Sequence, residues 1–238
     1  MSTSRRVRTR ALHRLFNLHL GLVLFGISVA MMVQADLGLD SWDVLHQGLA
    51  ERTGLPFGWV VNGVGGLVLL LWLPLRQRPG VGTVANVIVV GLVADAMLGT
   101  LPQPRNLAIR VALLVAGIVL NGVATGLYVG AGLGPGPRDG LMTGLAASGR
   151  SLRLVRTSIE LTVLAIGWLL GGTVGVGTLA FAIAIGPLVH YFIPKLSITR
   201  PFEPKEYVRH APPERDRRQY PARPGRQARR RLVRRDRT

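Results

Sequence analysis

Ala35-Asp36-Leu37-Gly38-Leu39-Asp40-Ser41-Trp42-Asp43-Val44-Leu45-His46-Gln47-Gly48-Leu49 reads like a stretch further on, Ala131-Gly132-Leu133-Gly134-Pro135-Gly136-Pro137-Arg138-Asp139-Gly140-Leu141-Met142-Thr143-Gly144-Leu145. The offset is 96, and Ala, Leu, Gly, Asp, Leu, Gly and Leu match in register. The likeness extends outward. Gly21 and Gly26 fall on Gly117 and Gly122, Arg14 on Arg110, and Trp72 on Trp168. After one deleted residue, Gly80-Val81-Gly82-Thr83 meets Gly175-Val176-Gly177-Thr178, Gly91 meets Gly186, and Asp95 meets His190. Two copies of one unit therefore fill the chain from Arg14 to Lys195. If each copy holds an odd number of membrane spans, the copies run in opposite directions. That is the sequence signature of an inverted-repeat transporter.

Composition supports a membrane setting. Mean hydropathy is +0.34 despite Arg-rich ends. The apolar runs between those ends are each long enough to cross a hydrocarbon core about 30 Å thick, which takes about 20 residues, and so exclude one or two soluble domains. The chain has no cysteine, which excludes disulfides, thiol chemistry and cysteine-based metal sites. The net charge of +17 is concentrated in residues 1–14 and 200–238. Flanking Arg in a membrane protein is first a topology signal and an attraction to anionic headgroups. The basic N-terminus ahead of an apolar run resembles a signal peptide. The run from Leu15 is long, however, and no small-residue cleavage site follows, so it reads as a retained span.

Six spans are expected, near residues 15–34, 57–75, 81–101, 108–130, 155–171 and 175–194. Trp59, Trp72 and Trp168 sit near proposed ends, where indole favours the interface. With the N-terminus inside, the inner segments carry Arg5, Arg6, Arg8, Arg10, Arg14, Arg76, Arg78, Arg138, Arg150, Arg153 and Arg156, and the outer ones Arg52, Arg105 and Arg110. Both termini are then cytoplasmic, in a bacterial cytoplasmic (inner) membrane. The expected organisation is a basic N-terminus (1–14), a first three-span repeat (15–101), a second (108–195), and an Arg/Pro-rich tail (196–238). The tail is too poor in apolar residues to bury a core, and it suits anionic lipid. It lacks the interleaved aromatics of a nucleic-acid binder, so no specific nucleic acid is expected.

Each repeated motif predicts a short amphipathic or re-entrant helix, placed after spans one and four. Asp40 can cap the first, with Ser41-Trp42-Asp43 as its first turn. In the second, Gly136 takes the cap position and Pro137 the first helical position, which suits proline's missing N–H. Gly38, Trp42, Gly48, Gly134, Pro135, Pro137, Gly140 and Gly144 form the structural frame of these motifs. Asp43 and Asp139 have two readings. They accept bonds from their own first-turn N–H groups, or they serve a shared cavity at which both helix N-termini point their partial positive charge. Arg138 has no basic counterpart at Trp42, so the two sites differ chemically.

Ionisable groups inside spans are costly and become functional candidates. Asp95 has no cation on its own helix and stands out most: it either forms a structural ion pair with a group from another span, such as Arg110 or His46, or serves as a proton-coupling group. Glu160 lies one turn after Arg156, and that pair can neutralise itself. His190 is the repeat partner of Asp95. Among the in-span amides, Asn86 and Asn121 lie closest to mid-span. The candidate transport site is therefore drawn from Asp43, His46, Asp95, Asn86, Asn121, Arg138, Asp139, Glu160 and His190. Catalytic signatures are absent: no His-Glu-x-x-His, no Gly-x-Ser-x-Gly and no Gly-Lys-Ser/Thr loop. Neither an enzyme, nor a metal site, nor a cofactor is expected.

Leu-Gly-x-x-x-Trp-Asp-x-Leu-x-x-Gly-Leu from Leu37 to Leu49, the Gly-Pro-Gly-Pro-Arg-Asp-Gly-Leu-Met-Thr-Gly-Leu block from Gly134 to Leu145 and Gly-Trp-Leu-Leu-Gly-Gly from Gly167 to Gly172 resemble the YczE/YyaS/YitT-type bacterial integral membrane proteins. The resemblance covers roughly residues 14–195 and implies a multi-span inner-membrane protein. It supplies no substrate. Two functions remain open at this point. One is a small secondary transporter of an unknown small molecule or ion, with its site between the repeats. The other is a membrane scaffold or accessory that holds a partner. A homodimer through glycine-rich helix faces fits either.

Overall fold

The computed structural model describes residues 2–198, with side chains from residue 11 onward. The expected tail lies outside the described residues beyond position 198. Among the described residues the chain forms eight helices and no strand. They are α1 (Ser2–Ala35), α2 (Ser41–Thr53), α3 (Phe57–Trp72), α4 (Val81–Leu98), α5 (Leu107–Gly130), α6 (Pro137–Ala146), α7 (Leu152–Leu169) and α8 (Val176–Leu196).

The short helices begin where the sequence places them. Asp40 is the N-cap of α2, and its Oδ1 accepts from the N–H groups of Trp42 and Asp43, each at 2.9 Å. Gly136 is the N-cap of α6, with Pro137 opening the helix. Glycine is required just upstream, at Gly38 (φ 110°) and Gly134 (φ 130°). A Cβ at Gly38 would lie 2.6 Å from the Gly175 N and 2.7 Å from Thr178 Oγ1. A Cβ at Gly134 would lie 2.7 Å from Thr83 Oγ1.

Those two crowded glycines illustrate a wider rule: contacts between the two halves come in reciprocal pairs. The Gly82 N–H donates to Leu133 O at 2.9 Å, and the Gly177 N–H donates to Leu37 O at 2.7 Å. Arg14 Nε donates to Ala131 O and Arg110 Nε to Ala35 O, both at 2.7 Å. Gly21 packs on Ala124 and Tyr128 of α5, whereas Gly117 packs on Ser28 and Met32 of α1. Residues early in each helix thus meet residues late in the other, so α1 and α5 are antiparallel. Gly26 lies against Val90 and Val93 of α4, and Gly122 against Leu188 of α8. Each short helix packs on the other half. Gly48 of α2 faces Gly167 and Leu170, and Gly144 of α6 faces Leu75 and Gln77.

The reciprocity breaks in one place. α3 packs antiparallel on α4, with Gly58 against Gly91 and Asp95, and Gly65 against Val87. At the corresponding places α7 carries Leu154 and Leu161. Their bulk prevents the close approach that Gly58 and Gly65 allow. No atom lies within 4 Å of where a Gly186 Cβ would sit, and a cleft lined by Arg156, Val189, His190 and Ile193 separates α7 from α8.

Four described helices have the length and hydropathy to cross a membrane: Ala11–Ala35, Val81–Leu98, Leu107–Gly130 and Val176–Leu196. α2 and α3 pass the same criterion only together, bent by 116° at the break between them. Alone, the 16 residues of α3 span about 24 Å at 1.5 Å per residue, short of the ~30 Å core. α7 carries Arg153, Arg156 and Glu160 in its first half, which lowers its hydropathy. The expected spans at 57–75 and 155–171 are therefore shorter or more polar elements than the other four.

The main core joins α1 and α5 through Leu18, Leu22, Val29, Ile118 and Ala124. A second cluster joins Trp42 and Trp72 to Leu141 and Met142. Trp72 corrects the sequence reading. It is 2% exposed rather than interfacial, and its Nε1 donates to Pro137 O at 3.0 Å. Gly140 makes this possible, because a side chain there would occupy the indole's space. Trp59 and Trp168 are exposed. Outward faces elsewhere carry apolar side chains such as Leu67, Ile88, Leu161, Leu179 and Ile183, a surface suited to lipid.

Candidate functional site

The N-termini of α2 and α6 meet. Arg138 Nη1 donates to Asp40 Oδ2 at 3.3 Å, and its guanidinium lies 5.5 Å from the Phe25 ring centroid. Between the two helix starts lies a cavity of about 70 Å³, lined by Phe25, Trp42, Asp43, His46, Asn86 and Tyr128 among others. Its remaining walls come from Val61, Val64, Gly65 and Val68 of α3, Val87 of α4, and Gly136, Pro137 and Arg138 at the start of α6.

Neither motif carboxylate binds its own helix start. Asp40 caps α2, which frees Asp43. Asp43 Oδ1 lies 3.1 Å from His46 Nδ1, with both side chains at least nine-tenths buried. Asp43 Oδ2 is buried without a hydrogen-bond partner, as is the indole Nε1 of the adjacent Trp42. His46 also meets the Phe57 ring edge to face, with centroids 6.2 Å apart. Across the cavity, Asp139 Oδ2 accepts from the Tyr128 hydroxyl at 3.3 Å. Arg138 sits in the field of Asp40, Asp139 and Asp43 together. Asn86 Nδ2 lies 4.0 Å from where a Gly136 Cβ would be, which places the amide beside the Tyr128–Asp139 pair.

The structure therefore gathers Asp43, His46, Asn86, Arg138 and Asp139. The other sequence candidates lie elsewhere. Asp95 finds neither Arg110 nor His46. Its Oδ1 accepts the Gly58 N–H at 2.6 Å and so caps the start of α3. Arg110 instead forks onto Ala35 O, the carbonyl of Asp36 and, at 2.9 Å, Asp36 Oδ2. Asn121 is buried in the main core and donates to Ser28 Oγ at 3.0 Å. Glu160 accepts from Arg156 at 2.9 Å on the exposed side of α7. His190 lines the α7–α8 cleft. Sequence reasoning missed Asp40 as a partner for Arg138, and it missed Tyr128 and Phe25. Aromatic residues inside apolar runs read as lipid or core contacts. Only their register on α1 and α5 relative to the motifs could have placed them here.

Among the described residues no three His, Cys, Asp or Glu side chains gather to hold a metal ion. Two of the lining residues carry polar atoms without a hydrogen-bond partner, the Asp43 Oδ2 and the Trp42 indole N–H, beside aromatic and valine walls.

An all-helical fold with four helices of membrane-crossing length and an outward apolar surface is the make-up of a multi-pass membrane protein. Comparison with known proteins names the family. The chain belongs to DUF6198, described as a family of unknown function, whose model matches residues 12–194. It is 40% identical over 173 residues to an uncharacterized protein of Haemophilus influenzae, covering 72% of this chain and 79% of that one. It is 32% identical over 178 residues to the uncharacterized membrane protein YczE of Bacillus subtilis, covering 74% and 83%. It is also 25% identical over 180 residues to the uncharacterized protein YyaS of Bacillus subtilis, covering 74% and 90%. No solved structure matches.

Proposed function

We propose that this chain is a small secondary transporter of the bacterial cytoplasmic membrane. Its two halves form a three-plus-three inverted repeat with both termini cytoplasmic, and its substrate site is the cavity between the starts of α2 and α6. One observation carries the reading: each half sends the start of a short helix to one cavity, where Asp43 Oδ2 and Trp42 Nε1 are left without partners. Paired helix starts at the contact between inverted halves are a recurring way to build a transport site. The antiparallel α1–α5 pair supports inversion, because corresponding helices that cross a bilayer in opposite directions place their halves in opposite orientations. In this reading α3 and α7 form the second span of each half, and α2 and α6 are re-entrant.

Uptake by proteoliposomes tests the transport reading with a panel of labelled small cations, zwitterions, anions and neutral solutes. At least one class accumulates with the native protein and fails to with Asp43→Asn. If no class moves, transport is overturned. Inversion has its own test, since the chain has no native cysteine. Thr53→Cys at the end of α2 and Ser148→Cys after α6 are both exposed positions. In intact cells a membrane-impermeant maleimide labels position 53 and reaches position 148 only after permeabilisation. Labelling of both from one side overturns the inverted arrangement.

A further inference from the structure

We propose that the cavity binds a small protonated amine that also carries a hydrogen-bond acceptor. This inference rests on the same cavity as the transport reading and names its ligand class. The first argument is charge. Asp40, Asp43 and Asp139 bring three carboxylates to the meeting of the two helices, and Arg138 brings one guanidinium. Even with one proton shared by the Asp43–His46 pair, the cluster keeps one negative charge. Asp40 and Asp43 are nearly fully buried, so water compensates that charge poorly. A cation restores neutrality, whereas an anion worsens the imbalance.

The second argument is hydrogen bonding. Asp43 Oδ2 needs a donor, and Trp42 Nε1 needs an acceptor. A bare proton or an alkali ion supplies nothing to the indole. A water molecule serves both atoms but leaves the charge. A metal ion lacks a ligand set among the described residues. An ammonium group with N–H donors, joined to a hydroxyl or carbonyl, answers both atoms and the charge together. The walls agree. Val61, Val64, Val68 and Val87 suit a short alkyl chain, and aromatic faces such as Trp42 stabilise cations.

The test uses the purified full-length protein in detergent, read by thermal unfolding and intrinsic tryptophan fluorescence. The probes are ethanolamine, ethylamine, tetramethylammonium and acetate. Ethanolamine is expected to give a saturable stabilisation. Ethylamine, which lacks the acceptor, binds more weakly. Tetramethylammonium, which lacks N–H donors, binds about tenfold more weakly or worse, as the loss of a charge-assisted hydrogen bond requires. Acetate gives no response. Asp43→Asn abolishes the ethanolamine response. Trp42→Phe brings ethanolamine down to the level of ethylamine, a change that loss of fold would not reproduce. If no amine shifts either signal, or if acetate stabilises as well as ethanolamine, the inference is overturned. Amine binding without flux of any solute would remove the transport reading and leave this one. Flux of an anion or a neutral solute without amine binding would do the reverse.

Discussion

Arg14 and Arg110, 96 residues apart in sequence, perform the same task at opposite ends of the α1–α5 pair. Arg14 reaches Ala131 O and Gly132 O at 2.7 and 2.6 Å. Arg110 reaches Ala35 O and the carbonyl of Asp36. Each guanidinium closes the C-terminal end of the other half's long helix, where carbonyls lack intrahelical partners and the helix dipole favours a cation. The planar fork suits two successive carbonyls, which a lysine cannot match. The arginines therefore fix the register of two antiparallel helices at both ends.

Arg110→Ala is expected to destabilise the protein by about 1–3 kcal/mol, as the loss of charge-assisted bonds to carbonyls that become unsatisfied predicts. Arg14→Ala should act similarly, and Lys at either position should recover only part of the loss. Because the two sites lie at opposite ends of the pair, the double variant should be near-additive. Thermal unfolding in detergent measures all of these. Equal stability of Arg110→Ala and the native protein would show that the fork is dispensable.

Gly140 and Trp72 are mutually dependent. A Cβ at position 140 falls within the indole. Gly140→Ala should therefore cost about 1–3 kcal/mol by overpacking. Trp72→Phe loses the bond to Pro137 O and leaves a void. Combined with Gly140→Ala, it should cost less than the sum of the two single changes, because the smaller ring makes room for the new methyl. A strictly additive double variant would mean that the two residues do not meet.

The α3–α4 contact can be trapped covalently. A Cβ at Gly65 would lie 3.7 Å from Val87 Cβ, within the range that a disulfide spans. Gly65→Cys/Val87→Cys should oxidise readily and resist maleimide labelling until reduced. The corresponding pair in the second half, Leu161→Cys/Ala182→Cys, should stay reduced, because α7 does not close on α8. A gel shift with a large maleimide reports both. Cross-linking of the second pair alone would invert the packing described above.

Much of this fold is legible in the sequence, for identifiable reasons. Asp40, Gly136 and Pro137 are strong start signals, so both short helices begin where the motif places them. Gly38 and Gly134 mark backbone that a side chain cannot adopt. The repeat register carries over to the contacts, down to Gly82 and Gly177. Other features were hidden because they depend on packing across sequence. Trp72 reads as an interfacial anchor until Gly140 is placed against it. Asp43 and Asp139 keep two readings in sequence until the structure gives Asp43 to His46 and Asp139 to Tyr128. Tyr128 has no local signal, and only the α5 register brings it to Asp139. Residue lengths alone could not show that α3 is a short helix after a 116° bend.

Asp43 and Asp95 separate site from scaffold. Both looked suspicious in sequence as acidic residues among apolar ones, yet their surroundings differ. Asp95 accepts the Gly58 N–H and stands in for the side-chain cap that Pro56 cannot supply to α3. Removing its carboxylate in Asp95→Ala should cost about 0.5–2 kcal/mol, the usual range for a lost helix cap. Asp95→Asn, which keeps an acceptor oxygen, should cost less. Neither change should alter amine binding in the protein that remains folded. Asp43 has one oxygen committed to His46 and one left over. Asp43→Asn keeps shape, volume and an acceptor oxygen for His46, so its stability should stay near that of the native protein while ligand binding is lost. The paired readout is decisive. Stability loss at 95 with binding intact, set against binding loss at 43 with stability intact, places the site at the meeting of α2 and α6. The opposite pattern would return Asp95 to the centre of the mechanism.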